Sequence, residues 1–245
     1  MIRKTTLALA FTTATVLGVV AAPAQAATFN LANLISTGGS ITVGDKLFSN
    51  FTCSVQITGV GTPGDCNNIN VRTVDNDPFG LLFQTAFSAG SPSRVAPSSL
   101  TALFGYDVTV LDPNQRLSAA RLRFNGAGSP GSLLNGNVST KVTQSITNIP
   151  DGTSLLNPSD SLMVTNPPNY LNDREDLTEL VSKARVENKL EITAKNRGVG
   201  FVSLVENRYE QTEVPEPGTV GGLVALGSFG VGVMLKNKGK SNDKN

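Results

Sequence analysis

Residues 51–58 read FTCSVQIT, and apolar side chains occupy every second position of this stretch. Phe51, Cys53, Val55 and Ile57 would therefore share one face, while the hydroxyl and amide side chains between them share the other. Successive side chains of a β-strand point to opposite faces, so this period of two predicts a strand with one buried face. Such strands are typical of antiparallel sheets that cover a core on one side.

The same alternation recurs along the chain, at Phe104, Tyr106, Val108 and Val110, at Leu81 and Phe83, at Leu190 and Ile192, and over residues 200–205. Segments that combine Gly or Pro with Asp, Asn or Ser separate the alternating stretches, at residues 59–65, 75–80, 88–93, 111–115, 125–131 and 148–153. These residue types favour turns. We therefore expect one mainly β domain over residues 27–213, an antiparallel, jelly-roll-like β-sandwich.

One stretch, residues 172–188 with the sequence NDREDLTELVSKARVEN, has helical rather than strand spacing. Asn172 and Glu175 are spaced as in a capping box, and acidic residues precede basic ones. The apolar positions with helical spacing are Leu177, Leu180, Val181 and Ala184. This pattern predicts one short helix in the domain.

The first 26 residues have the features of a cleaved secretory signal peptide. Arg3 and Lys4 precede an apolar run over residues 7–22, and Ala24-Gln25-Ala26 follows. Small side chains at Ala24 and Ala26 suit signal peptidase, so we expect the mature chain to begin at Ala27. These features of the N-terminal segment predict that the protein is exported.

Residues 214–245 form a second segment with three parts. Val214-Pro215-Glu216-Pro217 precedes an uncharged stretch over residues 218–235, and Lys236, Lys238 and Lys240 open the basic end at 236–245. As a helix, residues 218–235 would reach roughly 27 Å, just enough for a bilayer core of about 30 Å. The lysines after it favour an orientation with the β domain outside the cytoplasm.

This tail resembles the PEP-CTERM sorting signal of exported bacterial proteins, which joins a Pro-Glu-Pro motif, a Gly-rich transmembrane helix and a basic end. Pro215, Glu216 and Pro217 match the motif, and Val214 and Gly218 are common flanking residues. The resemblance implies recognition by exosortase, a transient stay in the inner membrane, and a final place on the cell surface or in the extracellular matrix. The basic end departs from the family in having lysines instead of an arginine cluster. A plain C-terminal anchor is the alternative left open.

Residues 38–54, with the sequence GGSITVGDKLFSNFTCS, also resemble the start of a domain without assigned activity that recurs among exported PEP-CTERM proteins, often cyanobacterial. That resemblance implies a β-rich fold. Cys53 and Cys66 lie on either side of a Gly/Pro turn. In an exported chain they are expected to form a disulfide, and the alternative of a reactive or metal-binding pair lacks further ligands.

Several enzyme classes are excluded by composition. The chain has no histidine, which excludes Ser-His and Cys-His catalysis and histidine metal sites. Residues 59–64, GVGTPG, match a dinucleotide motif by letter, but Pro63 interrupts it and we interpret it as a hairpin turn. Residues 27–217 hold 14 basic and 18 acidic groups, a net charge of −4, which argues against nucleic-acid binding.

Paired carboxylates are the remaining catalytic candidates, at Asp75 and Asp77 and at Asp173, Glu175 and Asp176. Asp75 and Asp77 could also supply oxygens to calcium, although they lack an EF-hand pattern. We expect no catalytic residues, cofactor or metal. The favoured hypothesis is a non-enzymatic surface or matrix protein associated with exopolysaccharide or other surface proteins. The alternative is a carboxylate-dependent glycoside hydrolase acting on exopolysaccharide.

Overall fold

The structure, a computed structural model, describes residues 27–59, 61–62, 65–91, 96–129, 137–149, 151–157, 162–166 and 171–214. These residues form an antiparallel β fold with one α-helix and one 3-10 helix. In chain order the elements are β1 (Thr28–Asn30), α1 (Leu31–Thr37), β2 (Ile41–Val43), β3 (Lys46–Thr58), β4 (Gly61–Thr62), the 3-10 helix (Cys66–Asn68), β5 (Asn70–Val74), β6 (Gly80–Gly90), β7 (Ser98–Val110), β8 (Gln115–Ser129), β9 (Val138–Asn148), β10 (Leu162–Asn166), β11 (Asn172–Val181), β12 (Lys183–Ala194) and β13 (Val199–Glu213).

The strands form two sheets, and all their pairings are antiparallel. Sheet A has the order β1-β5-β6-β13-β8-β11, with β4 also paired to β6. Sheet B has the order β10-β9-β12-β7-β3-β2. The last strand of the described residues, β13, thus lies inside sheet A between β6 and β8. The face of each sheet that is turned towards the other carries the core, which agrees with a β-sandwich.

The alternating stretches are strands, as the sequence predicted. Phe51 is buried in β3, and Cys53, Val55 and Ile57 pack against the core from the same strand. On β7, Phe104, Tyr106, Val108 and Val110 are all buried. The turn predictions at residues 88–93 and 125–131 are wrong in part, because residues 88–90 continue β6, residues 125–129 continue β8, and both pair with β13.

Aromatic side chains from both sheets meet in the core. The ring centroids of Phe83 and Phe104 lie 4.8 Å apart, and those of Phe83 and Tyr106 lie 5.7 Å apart. The hydroxyl groups of Tyr106 and Tyr209 are hydrogen-bonded at 2.6 Å, and Asn207 Nδ2 donates to the Tyr106 hydroxyl at 2.9 Å. Burial raises the pKa of Tyr106 and of Tyr209, so both phenols stay protonated in this contact between the sheets.

The predicted helix over residues 172–188 is wrong. This stretch forms β11 and the start of β12. Asn172 to Asp176 pair in register with Arg123 to Ala119 of β8, and the register shifts before Val181. Leu177 and Val181 both lie in the core, and Leu180 stays 51% exposed. Residues four apart share one face in a strand as well as in a helix, so this spacing did not distinguish the two.

The α-helix lies instead at Leu31–Thr37. Its N-cap residue, Asn30, accepts a hydrogen bond from Asn33 N at 3.2 Å, and Gly38 ends the helix in the left-handed conformation with φ of 62°. These caps satisfy backbone groups that a short helix leaves unpaired. Leu31 and Leu34 anchor it to the core.

The predicted disulfide between Cys53 and Cys66 is confirmed, with the two Cα atoms 6.0 Å apart. It ties β3 of sheet B to the 3-10 helix. The interpretation of residues 59–64 as a hairpin turn is wrong. The chain passes there from β3 in sheet B to β4, which pairs with β6 in sheet A, so the connection joins the two sheets.

Both predicted processing segments fall largely outside the described residues, namely Ala24 and Ala26 at one end and Pro215 to Lys240 at the other. Ala27 is described, and its backbone nitrogen donates to the Thr73 hydroxyl at 3.2 Å. Val214 is also described, and its nitrogen donates to Asn114 O at 2.8 Å. Among the residues described, no helix is long and apolar enough to cross a membrane.

Candidate functional site

A groove of about 800 Å³ lies on the outer face of sheet A, over β8, β11 and β13. Alternation along these strands turns apolar side chains inward and polar ones into the groove. The outward side chains are Arg121, Arg123 and Asn125 from β8, Asn172 and Arg174 from β11, and Leu204, Glu206 and Arg208 from β13. We call this surface the sheet A groove.

Strand register places three arginines side by side across the groove. Arg121 is the cross-strand partner of Arg208 on β13 and of Arg174 on β11. Like charges directly opposite one another destabilise a sheet unless opposite charges compensate them. Glu210, one outward position further along β13, accepts from Arg121 Nε at 2.5 Å and from Arg174 Nη2 at 2.7 Å. Asp176 pairs with Arg174 at 2.8 Å.

These arginines change the ionisation of Glu210. Its hydrogen bonds from Arg174, and then those from Arg121, lower the pKa of Glu210 to about 2 although partial burial opposes the shift. Glu210 therefore stays ionised in neutral and mildly acidic water. A carboxylate held in this way is suited to fixing arginine side chains and unsuited to donating a proton.

A second charged group lies deeper in the groove. Glu206 is largely buried and accepts from Arg208 Nε, while Arg123 Nη1 is 4.0 Å from the other Glu206 oxygen. The Arg123 side chain is 66% exposed. Its guanidinium group is therefore accessible to a dissolved anion.

An exposed aromatic ring lies beside the charged part of this face. Phe201 on β13 is 44% exposed and points away from the core, because its neighbours in the strand, Gly200 and Val202, are buried on the inner face. Leu204, which lines the groove, follows on the same outer face after a bulge in the register.

The predicted carboxylate candidates occupy two places. Asp75 and Asp77 are exposed in the loop between β5 and β6, and Asp77 lines a hollow of about 620 Å³ together with Asp45, Asp112 and Glu210. Asp173 lines the sheet A groove, where it accepts from Met163 N at 2.9 Å. Within the described ranges, no group of three or more Asp, Glu, Cys or His residues is placed to hold a metal ion.

Glu175 and Asp176 lie in β11 rather than on a helix, opposite Ala120 and Ala119. Consecutive residues of a strand face opposite sides of the sheet, so these two carboxylates do not form a pair. The arginines of the groove were not predicted as a site. In the sequence RLRFN at 121–125, Arg121 and Arg123 alternate with apolar residues, which indicates that both arginines lie on one face of a strand. This local pattern does not show which other strands lie beside that one.

The fold and this groove define a two-sheet β-sandwich protein with a charged cleft on one face. No protein-family model matches the chain, and no curated protein matches it. Among solved structures it is similar to TmCBM61 in complex with β-1,4-galactotriose, at 12% identity over 64% of this chain and 88% of that one, with a TM-score of 0.28.

It is also similar to the enzymatically active domain of bacteriophage CBA120 tailspike protein 4, at 15% identity over 66% of this chain and a TM-score of 0.27. The match spans only 19% of that tailspike chain. A third similar structure is the Trichoderma harzianum endoglucanase 3 from family GH12, at 12% identity over 65% of this chain and 98% of that one, with a TM-score of 0.20. These scores are too low to assign a ligand or an activity.

The pairing of Glu210 predicts an acid-dependent loss of stability. The pKa of Glu210 is lowered in the folded protein, so the stabilisation is full above its ordinary value of 4.5 and is lost as pH falls towards about 2. A pKa shift of this size corresponds to about 3 kcal/mol in the free energy of unfolding. Because the side chains of Arg121 and Arg174 are about half exposed, solvent screening reduces this contribution to about 1–2 kcal/mol. Glu210→Gln should therefore lower the free energy of unfolding at neutral pH and have little effect at about pH 2.

Urea unfolding at both pH values measures this difference. Glu213→Gln, at an exposed position of the same strand, is the matched control and should have little effect at either pH. A loss of stability in Glu210→Gln that is equally large at both pH values would mean that the arginine pairing is not its cause.

Proposed function

We propose that this chain is an exported, non-enzymatic surface or extracellular-matrix protein whose sheet A groove binds an acidic exopolysaccharide. The observation that carries the proposal is the set of four arginines, Arg121, Arg123, Arg174 and Arg208, that line one groove of an otherwise acidic domain. Its volume of about 800 Å³ falls in the range of small-ligand sites. It suits a few sugar residues of a longer chain.

Acidic polysaccharides carry carboxylate or sulfate groups, which guanidinium groups bind with two parallel hydrogen bonds. Arg121 and Arg174 are held in position by Glu210, so they are preorganised for such a contact. Arg123 has the most exposed guanidinium of the four and is the residue we assign to the anionic group. The proposed recognition is therefore mainly electrostatic.

Phe201 and Leu204 supply an apolar surface beside the arginines. The face of an aromatic ring is weakly negative and attracts the slightly positive C–H groups of a sugar ring. A polysaccharide lying along β13 could place a ring against Phe201 and an acidic substituent near Arg123. This arrangement favours a bound chain over a free anion such as phosphate.

The alternative, a carboxylate-dependent glycoside hydrolase, needs a general acid whose pKa is raised towards neutrality. Glu210 has a lowered pKa, and Arg174 and Arg121 already occupy its oxygens. Glu210 is therefore unsuited to that role, and a hydrolase would need another carboxyl group of the groove as its general acid.

The proposal includes the two ends of the chain. Signal peptidase would cleave after Ala26, and exosortase would recognise Val214 to Gly218 while residues 218–235 span the inner membrane. The domain would then reach the cell surface or the matrix. We further propose that its two sheets belong to the jelly-roll class.

The test is calorimetric titration of the β domain with an alginate oligosaccharide, and with a neutral dextran oligosaccharide of similar length. Arg123→Ala should weaken alginate binding at least tenfold, which corresponds to about 1.4 kcal/mol. Lys189→Ala, an exposed cation on the outer face of sheet B, is the matched control and should bind as the unchanged protein does. Equal binding of both glycans, or no binding of alginate, would contradict the proposal, and release of reducing ends would favour the hydrolase.

A further inference from the structure

Lys46 is a lysine whose side chain is 0% exposed. It is the first residue of β3, and its ammonium nitrogen lies 5.1 Å from the centre of the Phe79 ring. Fully buried lysines are rare because removing the charge from water is costly. The Nζ atom has two polar partners, Asp45 Oδ1 at 3.2 Å and Gln211 Oε1 in a closer contact.

Gln211 lies on β13, 165 residues further along the chain. Its amide oxygen contacts the Lys46 nitrogen, and its amide nitrogen donates to Asp45 Oδ2 at 2.6 Å. Asp45 therefore bridges the amine of Lys46 and the amide nitrogen of Gln211. A carboxylate in this position can take a proton from the first nitrogen and give it to the second.

We propose that Lys46 and Gln211 form an intramolecular isopeptide bond in the folded protein. The Lys46 Nζ attacks the Gln211 carbonyl carbon, and an Nζ–Cδ amide bond forms as the Cδ–Nε2 bond breaks. Asp45 transfers a proton from Nζ to the departing Nε2, which leaves as ammonia. The step neither consumes nor produces electrons and needs no co-reactant.

The surroundings favour this chemistry. An amine must be neutral to attack, and burial lowers the pKa of Lys46, so more of it is neutral than in water. Burial tends to raise the pKa of Asp45, but the hydrogen bond from Gln211 together with the charge and the hydrogen bond of Lys46 outweighs it, so the pKa is lowered and Asp45 serves as the base. The fold holds the two reactants together, so the nitrogen has only to move from the carbonyl oxygen of Gln211 to the carbon beside it.

The position of the bond would be mechanically useful. It would join β3 of sheet B to β13 of sheet A. Gln211 lies three residues before Val214, where the described chain ends. A pull on the C-terminus would then act on a covalent link between the sheets as well as on the hydrogen bonds of β13.

The test is tryptic digestion and mass spectrometry of the reduced, full-length chain after export from a bacterial host. Lys46 is the one trypsin site between Ala27 and Arg72, and Arg208 is the site before Gln211. We expect no cleavage after Lys46, and a peptide covering residues 27–72 joined to the peptide that begins at Tyr209, less the mass of one ammonia. Complete cleavage after Lys46 in the folded, unchanged protein would overturn the proposal.

Two variants separate the bond from incomplete digestion. Lys46→Arg should abolish the joined peptide and restore cleavage at residue 46, and Asp45→Asn should reduce the joined fraction at least tenfold after equal incubation. Lys189→Arg should leave it unchanged. If Lys46→Arg does not fold, the digest of the unchanged protein still decides the question, because the missing ammonia is measured there directly.

Discussion

Replacing Glu216 with alanine is expected to leave the precursor uncut in the inner membrane, while the β domain folds normally. Pro215 and Pro217 fix their own φ angles and favour extended backbone in the residue before each. An extended segment at the membrane surface can enter a protease cleft, and Glu216 is the one charge in it. If exosortase recognises the carboxylate of Glu216, removing that carboxylate should abolish cleavage and not merely slow it.

Pulse labelling and membrane fractionation of the native cells measure this result. Glu213→Ala is the matched control, because it removes a carboxylate three residues upstream, at the end of β13. That variant should be processed and released as the unchanged protein is. Normal release of Glu216→Ala, or an unchanged protein that is never cut, would contradict the sorting proposal without affecting the groove.

Gly80→Ala is expected to destabilise the domain by about 3 kcal/mol. A Cβ atom at Gly80 would lie 2.0 Å from the Asn207 backbone oxygen and 2.8 Å from Arg208 Cα. Backbone atoms of the central strand cannot rotate away as a flexible side chain could. The strands β6 and β13 would have to separate next to Asn207, whose side chain contacts the Tyr106 hydroxyl in the core.

Gly90→Ala is the matched control at the other end of β6. A Cβ atom there would meet a Val199 methyl group at 3.5 Å, an ordinary contact. Urea unfolding should show a change of less than about 1 kcal/mol for Gly90→Ala. Similar losses in the two variants would mean that a general strand effect, and not the approach of β13, makes glycine necessary at position 80.

Strands were predictable from the sequence because their signal is local. Phe51 to Ile57 and Phe104 to Val110 alternate with the period of a strand whatever lies beside them. The disulfide was also predictable, since Cys53 and Cys66 are only 13 residues apart. The helix was mispredicted because Leu177 and Val181 are four residues apart, a spacing that places two side chains on one face of a strand as well as of a helix.

The groove could not be predicted in the same way. Its arginines come from three strands whose order in the sheet differs from their order in the chain. Arg121 and Arg208 are cross-strand partners, and no local pattern around either residue indicates the other. The contact of Lys46 with Gln211 spans 165 residues and depends on the packing of the two sheets. Both the sheet A groove and the contact of Lys46 with Gln211 are therefore formed by segments that lie far apart in the sequence.

The strand that ends the described chain, β13, lies between β6 and β8 in sheet A. Sheet A cannot be completed until residues 199–213 are available to pair with β6 on one side and β8 on the other. Pairing between segments this far apart in the sequence is slow. In a protein exported as proposed, the two parts of sheet A, β1-β5-β6 and β8-β11, would therefore stay separate until β13 is free to join them.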